Sequence, residues 1–366
     1  MYTLLSHALF QLDPETAHNA VKALSPLFPV ALLQHFTLVK HPSLATKIGA
    51  TPLSHPIGLA AGFDKNAELT GLAQALGFAC SEIGSITAQP CPGNPRPRLL
   101  RLPQEQSLIN WLGLPNQGAE NVARRISQIK PKIPLGLNIA KTPDFAFDKI
   151  KPLGVDDYLF TYEKIHHQGA YLVFNLSCPN TGETETFEDP EIFRTLAKNI
   201  NGMRRNKKVS PPHLIKISPD LEPAKLKRLL EIAGENDFDG FVVGNTTRKR
   251  THLKKEIEKK WGSRGGLSGK ALTEPANAQL KKVFEIVGKE KIIIGVGGIM
   301  NFSDLLTKIS HGATLVQVYT GLIYNGPFFV RDLNKKLVRL CKKIGVKNYQ
   351  ELVGRPMSEM ISAAEA

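Results

Sequence analysis

The fold this sequence predicts is α/β, a (β/α)8 TIM barrel with a small helical segment in front of it. Three observations predict it. Short apolar runs recur at 57–61, 79–83, 133–139, 171–176, 213–217, 240–243, 292–296 and 314–318, giving eight candidate strands. Most of the gaps carry a helical pattern, as from Leu69 to Leu76 and from Leu226 to Ile232, and strands alternating with helices build parallel sheets. The runs end in Gly, Asn, Lys and Thr, and the C-terminal strand ends are where a closed parallel barrel carries its chemistry.

Residues 1–40 stand apart from this rhythm. Leu4, Leu5, Ala8, Leu9 and Leu12 repeat at helical spacing, and Asp13-Pro14 restarts a helix with a cap and a first-turn proline. Ala17, Ala20, Val21 and Leu24 line one side of that helix; Pro26 and Pro29 interrupt it, and Val30 to Leu33 with Phe36 continue an apolar surface. Periodicity fits both a lid on the barrel and an interfacial membrane contact. The barrel is expected over 41–355. Its Pro- and Gly-rich insertion at 84–115 is long enough to cover the mouth, and a second insertion at 244–270 is basic and polar. The tail at 356–366 has no recognisable partner and is expected to be disordered.

The 366 residues suffice for one large domain and a small appendage, and 42% hydrophobic with 22% charged residues is ordinary globular composition. No apolar stretch approaches the roughly 18 residues that span a bilayer. Cys80, Cys91, Cys178 and Cys341 lack metal-ligand spacing and are too few for a disulfide scaffold, which points to a reducing compartment and no metal. The net charge of +14 asks for an anionic partner: nucleic acid, a membrane surface or a small ligand. The basic clusters at 204–208, 254–260 and 335–343 read as solvated faces. No aromatic residues interleave with them, so nucleic acid is not expected.

The strand ends carry the functional signal. The first ends in Ala60-Ala61-Gly62-Phe63-Asp64-Lys65-Asn66, whose small residues let backbone approach a flat ligand beside a cation. The third ends in Asn138, and the fourth runs into Asn175-Leu176-Ser177-Cys178-Pro179-Asn180, two amides and a thiol at the end of a rigid element. Lys216 lies inside the fifth strand, costly to bury unless it meets an anion or a reduced, negatively charged ring. The sixth ends in Asn245-Thr246-Thr247, the seventh in Gly295-Val296-Gly297-Gly298, the eighth in Tyr319-Thr320-Gly321. Small-residue turns after strands seven and eight together make a phosphate cradle. An acidic pair, a metal cluster and a Ser-His-Asp order are all absent from these ends, so hydrolysis is disfavoured. The inventory fits a phosphorylated flat cofactor beside a small polar substrate. Flavin mononucleotide (FMN) fits better than a dinucleotide, because no GxGxxG opens a helix after the first strand.

With these residues in place, the chain resembles the dihydroorotate dehydrogenases, most closely their membrane-associated, quinone-using class. FQLDPETAH, GLAAGFDKNAE, PGNPRPRLLRL, LINWLGLPNQG, NLSCPN, GNTT, GGLSG, GVGGI and QVYTGLIYNGP carry the likeness over nearly the whole chain. The resemblance implies oxidation of (S)-dihydroorotate to orotate in pyrimidine biosynthesis, with hydride passing to FMN and electrons to a membrane quinone. It places Lys65, Asn110, Trp111, Leu112, Gly113, Leu114, Asn175, Asn180, Asn245 and Thr246 around the substrate. Ala61, Gly62, Ser85, Asn138, Asn175, Lys216, Gly244, Ser268, Gly269, Gly297, Gly298, Tyr319 and Thr320 would hold FMN and its phosphate. His18, Arg101 and Tyr319 would meet the quinone in a tunnel under the N-terminal helices, and Cys178 would be the catalytic base.

Cys178 stands where the quinone class usually carries serine; Leu114 replaces an aromatic, Gly244 a threonine, and GETETFEDPE the usual TPGLR-like stretch. A dihydroorotate dehydrogenase using fumarate or NAD would share the substrate residues but lack the N-terminal helices. A tRNA dihydrouridine synthase would need an RNA-binding domain after the barrel. The expected state is a monomer, docked peripherally on the cytoplasmic side of the anionic inner membrane.

Overall fold

The computed structural model describes residue 6 and residues 9–146, 154–177, 187–207, 210–250, 253, 257, 261, 262 and 264–365. The N-terminal segment contributes α1 (Pro14–Leu24) and α2 (Val30–Thr37). Asp13 caps α1 by accepting from the Glu15 and Thr16 N–H groups, with Pro14 in the first turn, as the Asp-Pro pair foretells. A hairpin follows, β1 (Thr46–Ile48) and β2 (Thr51–Leu53).

The next elements are β3 (Ile57–Asp64), α3 (Thr70–Ala75), β4 (Ser81–Ile86), β5 (Leu99–Leu102), β6 (Ser107–Asn110), α4 (Ala119–Ile129) and β7 (Leu135–Ile139). Then come α5 (Gly154–Ile165), β8 (Tyr171–Asn175), α6 (Pro190–Arg205), β9 (His213–Ile217), α7 (Pro223–Glu235) and β10 (Gly240–Val243). The chain closes with β11 (Gly266–Gly269), α8 (Thr273–Val287), β12 (Ile292–Val296), α9 (Phe302–Ser310), β13 (Leu315–Val318), α10 (Thr320–Asn325), α11 (Phe329–Lys343) and α12 (Met357–Glu365).

Eight of these strands form a closed barrel in the order β10-β12-β13-β3-β4-β7-β8-β9. Every neighbouring pair is parallel, and Val316 of β13 opposite Ile57 of β3 completes the ring. The eight apolar runs are these eight strands. Inside the ring Ala60, Val173, Leu214, Val242 and Ile294 pack together, and Ile48 and Leu53 of the hairpin join them. The hairpin therefore adds apolar bulk to the barrel interior, and the larger cluster fills the layer between strands and helices.

The insertion at 84–115 does cover the mouth. Its β5 and β6 pair antiparallel, and β11, from the second insertion, adds to β6 to make a separate three-stranded sheet. The C-terminal tail departs from expectation. It forms α12, with Met360 2% exposed in the main core. Met357 and Met360 are three residues apart, so they share a helical face that can bury.

The basic clusters are partly neutralised where they are described. Arg204 meets Asp239 at 2.9 Å, Arg205 meets Asp237 at 3.3 Å, and Lys207 meets Glu163 at 2.9 Å. Lys335, Lys336, Arg339, Lys342 and Lys343 lie on the exposed face of α11.

Candidate active site

A cavity opens at the C-terminal ends of the barrel strands. Its floor and walls come from Ala61, Gly62, Ser85, Asn175, Lys216, Gly244 and Asn245, with Gly297, Gly298, Tyr319 and Thr320 on the far side. The small sheet roofs it with Leu99, Leu108, Asn110, Ser268 and Gly269; Lys65, Leu112, Leu114 and Thr246 complete the lining. Most of the residues singled out from the sequence are thus brought together.

Three of them do not face the cavity. Trp111 packs under the Arg264 guanidinium, which stands 5.4 Å from the indole ring centroid, and its backbone carbonyl accepts from Asn94 Nδ2 at 3.0 Å. Gly113 shapes the loop: its carbonyl accepts from Cys91 Sγ at 3.2 Å, and with φ +69° a Cβ there would lie 2.7 Å from the Asn94 backbone nitrogen. Asn138 is fully buried behind Ser85 and touches the cavity only through that hydroxyl. Cys178 and Asn180 lie outside the described residues.

The turn after β12 has the shape of an anion cradle. Gly298 has φ +76°, and a Cβ on it would sit 2.3 Å from the Thr273 Cα, so only glycine lets the two backbones approach. Thr273 Oγ1 donates to the Gly298 carbonyl at 3.0 Å and fixes that approach. The hydroxyls of Ser268 and Thr320, 2.9 Å apart, stand beside the turn.

A buried polar network lies beneath the cavity. Lys216, expected to need an anion, has one: its Nζ is 3.6 Å from Oε1 of Glu82, a fully buried carboxylate on β4. Asn138 Nδ2 donates to the same oxygen at 2.7 Å, and Gln317 Nε2 donates to Oε2 at 2.6 Å. Ser85 Oγ donates to Asn138 Oδ1, Asn175 Nδ2 donates to Ser85 Oγ at 3.0 Å, and Asn245 Nδ2 donates to Asn175 Oδ1 at 3.4 Å. Asn245 also donates to the Ser177 carbonyl and hydroxyl, each at 3.0 Å, which ties the residue before Cys178 to the end of β10. Glu82 and Gln317 are not among the residues the sequence singles out. The signal was a Glu and a Gln inside otherwise apolar strand runs, which need buried partners.

Lys65 lies at the rim, its Nζ donating to the Gly62 carbonyl at 2.8 Å. Burial pulls its ammonium down to about 8, against the opposing charges of Asp64 and Glu15. Asp64 itself is structural: its carboxylate accepts from the backbone N–H groups of Asn66, Glu68 and Leu69 and holds the turn that presents Lys65.

A second cavity, of about 590 Å³, runs between α1 and the barrel rim, large enough for a small organic ligand. Tyr319 lines both cavities, and His18 and Arg101 line the second. The His18 ring meets Phe63 edge-on at 5.3 Å and Phe63 meets Tyr319 at 5.6 Å, an aromatic path from one cavity to the other. Burial, helped by the charges of Lys65 and Lys22, lowers His18 to about 4, so it is neutral at pH 7. Arg101 donates to the Phe10 and Leu12 carbonyls at 3.3 and 2.7 Å. A residue unseen from sequence anchors this wall. Glu15 of α1 is gripped by Arg98, through Nε at 3.1 Å and a terminal nitrogen at 2.7 Å, and by Arg96 at 3.1 Å. Such a forked pair fixes orientation as well as position.

Comparison with known proteins gives the family. The dihydroorotate dehydrogenase family model matches residues 43–341. The chain belongs to the dihydroorotate dehydrogenase family. A dihydroorotate dehydrogenase (quinone) of Gloeobacter violaceus is 36% identical over 362 residues, covering 97% of this chain and 98% of the relative. A protein of the same description from Mycobacterium bovis is 36% identical over 361 residues, covering 97% and 98%. The ligand-free DHODH of Eimeria tenella superposes with a TM-score of 0.83 at 29% identity, covering 94% of this chain and 100% of that one. In this family context the mouth cavity is the candidate active site. The N-terminal segment, which lies before the matched barrel region, falls within the full-length likeness to the quinone enzymes.

Proposed function

We infer that this protein oxidises (S)-dihydroorotate to orotate, the dehydrogenation that makes the pyrimidine ring aromatic, and hands the electrons to a quinone through FMN. The observation that carries the reading is the pair of cavities sharing Tyr319: a polar one at the barrel mouth and an apolar one walled by α1. A dehydrogenase with a soluble acceptor has no use for the second.

The residues present fit FMN. The turn at Gly297 and Gly298, with the Ser268 and Thr320 hydroxyls, suits a phosphate, and Lys216 sets a cation where the cavity floor meets β9. Gln317 lines the cavity, and its buried Oε1 has no hydrogen-bond partner in the protein, so an acceptor remains for a ring N–H. Held there, FMN would supply the hydride acceptor and the electron carrier between substrate and quinone. The chain's part is orientation, charge and proton handling. Asn110, Asn175, Asn245 and Thr246 offer amide and hydroxyl groups to a small planar ring, and Lys65 offers its ammonium to the carboxylate. Cys178, next after the tethered Ser177, takes the ring proton as general base. A thiol of pKa about 8.5 needs less activation for this than a serine hydroxyl. Lys216, which lines the cavity, would supply positive charge to a reduced, anionic cofactor.

The protein as isolated is expected to be yellow, to bleach on anaerobic addition of dihydroorotate, and to recover colour with ubiquinone or menaquinone analogues faster than with fumarate or NAD. Recovery that prefers fumarate would transfer the enzyme to the soluble-acceptor class. Lys65 gives a pH signature. Its ammonium is at about 8 in the free site, and a bound carboxylate raises it. Orotate affinity is therefore full below pH 8 and falls above it, by roughly tenfold per unit until the bound-state value is reached. Calorimetry in buffers of different ionisation enthalpy should show proton uptake on binding at pH 9 and none at pH 6.

No helix among the described residues is long and apolar enough to cross a membrane. We place the protein peripherally, as a monomer, on the anionic inner face of the cytoplasmic membrane. The exposed Leu24, Leu27, Leu32 and Phe36 and the net charge of +14 support that reading.

A further inference from the structure

We propose that Glu82 is a positioning residue of this active site: its buried carboxylate turns the Asn138 amide and, through it, the Ser85 hydroxyl inward, at the inner end of the relay that Asn175 and Asn245 complete at the cavity. The proposal rests on the reading of the mouth cavity as an FMN and dihydroorotate site. Glu82 does not line that cavity and is fully buried, so it acts through other side chains.

Every link of the relay donates toward Glu82. Asn245 donates to Asn175, Asn175 to Ser85, Ser85 to Asn138, and Asn138 to Oε1 of Glu82. Gln317 donates to Oε2, and the Lys216 ammonium sits 3.6 Å from Oε1. Both oxygens of Glu82 accept from amide nitrogens, so the carboxylate offers its neighbours no donor. That one property forces the amide nitrogen of Asn138 inward and its oxygen toward Ser85. The Ser85 hydroxyl must then donate inward, which leaves its lone pair for Asn175. Asn175 in turn points Nδ2 at Ser85, and its oxygen is taken by Asn245 and by the Ser177 N–H at 3.3 Å. What Asn175 keeps for a ligand is its second Nδ2–H, a donor for a ring carbonyl. The outer half is held by the backbone as well: Ser177 N–H donates to Asn175 Oδ1, the Ser177 carbonyl accepts from Asn245 Nδ2, and Asn245 Oδ1 accepts from the Thr246 N–H at 2.9 Å. The carboxylate decides the inner half: without it the Asn138 amide can turn its nitrogen toward Ser85, and the Ser85 hydrogen then turns into the cavity, giving a ligand a donor that the natural protein keeps inward.

The charge can be moved by one residue without reversing the relay, and that separates this role from a local packing role. In the exchanged pair Glu82→Gln/Asn138→Asp, the new amide at position 82 accepts from Gln317 and donates to the new carboxylate, whose other oxygen still accepts from Ser85. Glu82→Met keeps the volume and removes both acceptors. FMN affinity of the apoprotein and orotate affinity of the flavin-loaded protein are measured by calorimetry, beside thermal melts. The expected result is that Glu82→Met weakens both by tenfold or more, while the exchanged pair binds both within threefold of the natural protein. Natural affinities in Glu82→Met, or a pair as weak as Glu82→Met, would overturn the proposal. Should Glu82→Met fail to fold, the pair decides alone by the same threshold. A natural protein that binds FMN and gives no heat with orotate refutes the dihydroorotate reading, while the FMN arm still decides Glu82.

Discussion

Replacing Cys178 with alanine is expected to slow bleaching of the bound flavin by dihydroorotate at least a hundredfold, the lower end of what a positioned general base contributes. Orotate binding should change little, because the amides and Lys65 carry it. Serine at the same position should retain more activity than alanine, with its rising pH limb displaced upward, since a hydroxyl needs more help to accept a proton. Alkylation gives an independent check. Cys80 and Cys341 are buried, with thiols pushed by burial to about 12 and about 11, and burial also raises Cys91. Iodoacetamide under native conditions should therefore modify Cys178 first, orotate should protect it, and peptide mass mapping reads both. Near-full turnover in Cys178→Ala, or inactivation that maps to Cys91, would remove the thiol from the mechanism.

How far the sequence reached depends on which physical signal each feature leaves. Barrel strands leave a strong one, because a parallel strand buried on both faces is a continuous apolar run; all eight were legible for that reason. Ligand-facing residues at strand ends were legible as polar or glycine interruptions directly after those runs. Glu82 was hidden by the same logic, since a charge inside an apolar run reads as noise until its partners Asn138, Gln317 and Lys216 are seen converging from three other strands. The depth of Asn138 is not legible, because sequence gives a strand end without saying whether a side chain reaches the cavity or stands behind Ser85. The Glu15–Arg98 clamp joins residues 83 apart, and a surface glutamate in a first helical turn looks like ordinary dipole compensation. The tail at 356–366 leaves little signal because the face it buries rests on Met357 and Met360, too little for periodicity to register.

Deleting residues 1–40 is expected to abolish lipid binding and cut quinone turnover more than tenfold while dihydroorotate still bleaches the flavin. The reasoning follows the walls of the two cavities. Leu9, Phe10, Ala17, His18, Val21 and Phe28 supply one side of the second cavity and none of the first. Each apolar side chain that desolvates a ligand is worth about 1.5–3 kcal/mol, so losing several exceeds one decade of affinity. The helices are also held to the barrel by discrete contacts that the deletion removes: Glu15 with Arg98, Lys22 with Glu68 at 2.6 Å, and Thr37 Oγ1 donating to the Ala75 carbonyl at 2.7 Å. Some loss of thermal stability is therefore expected, and flavin reduction by substrate is the control that shows the barrel intact. The paired substitutions Leu27→Asp and Phe36→Asp isolate the membrane contribution. Both side chains are exposed and neither lines the cavity, so sedimentation with anionic vesicles should fall while turnover with a short-chain, water-soluble quinone stays within about twofold. Quinone kinetics that survive the deletion unchanged would mean electrons leave by another face, and the cavity under α1 would need a different occupant.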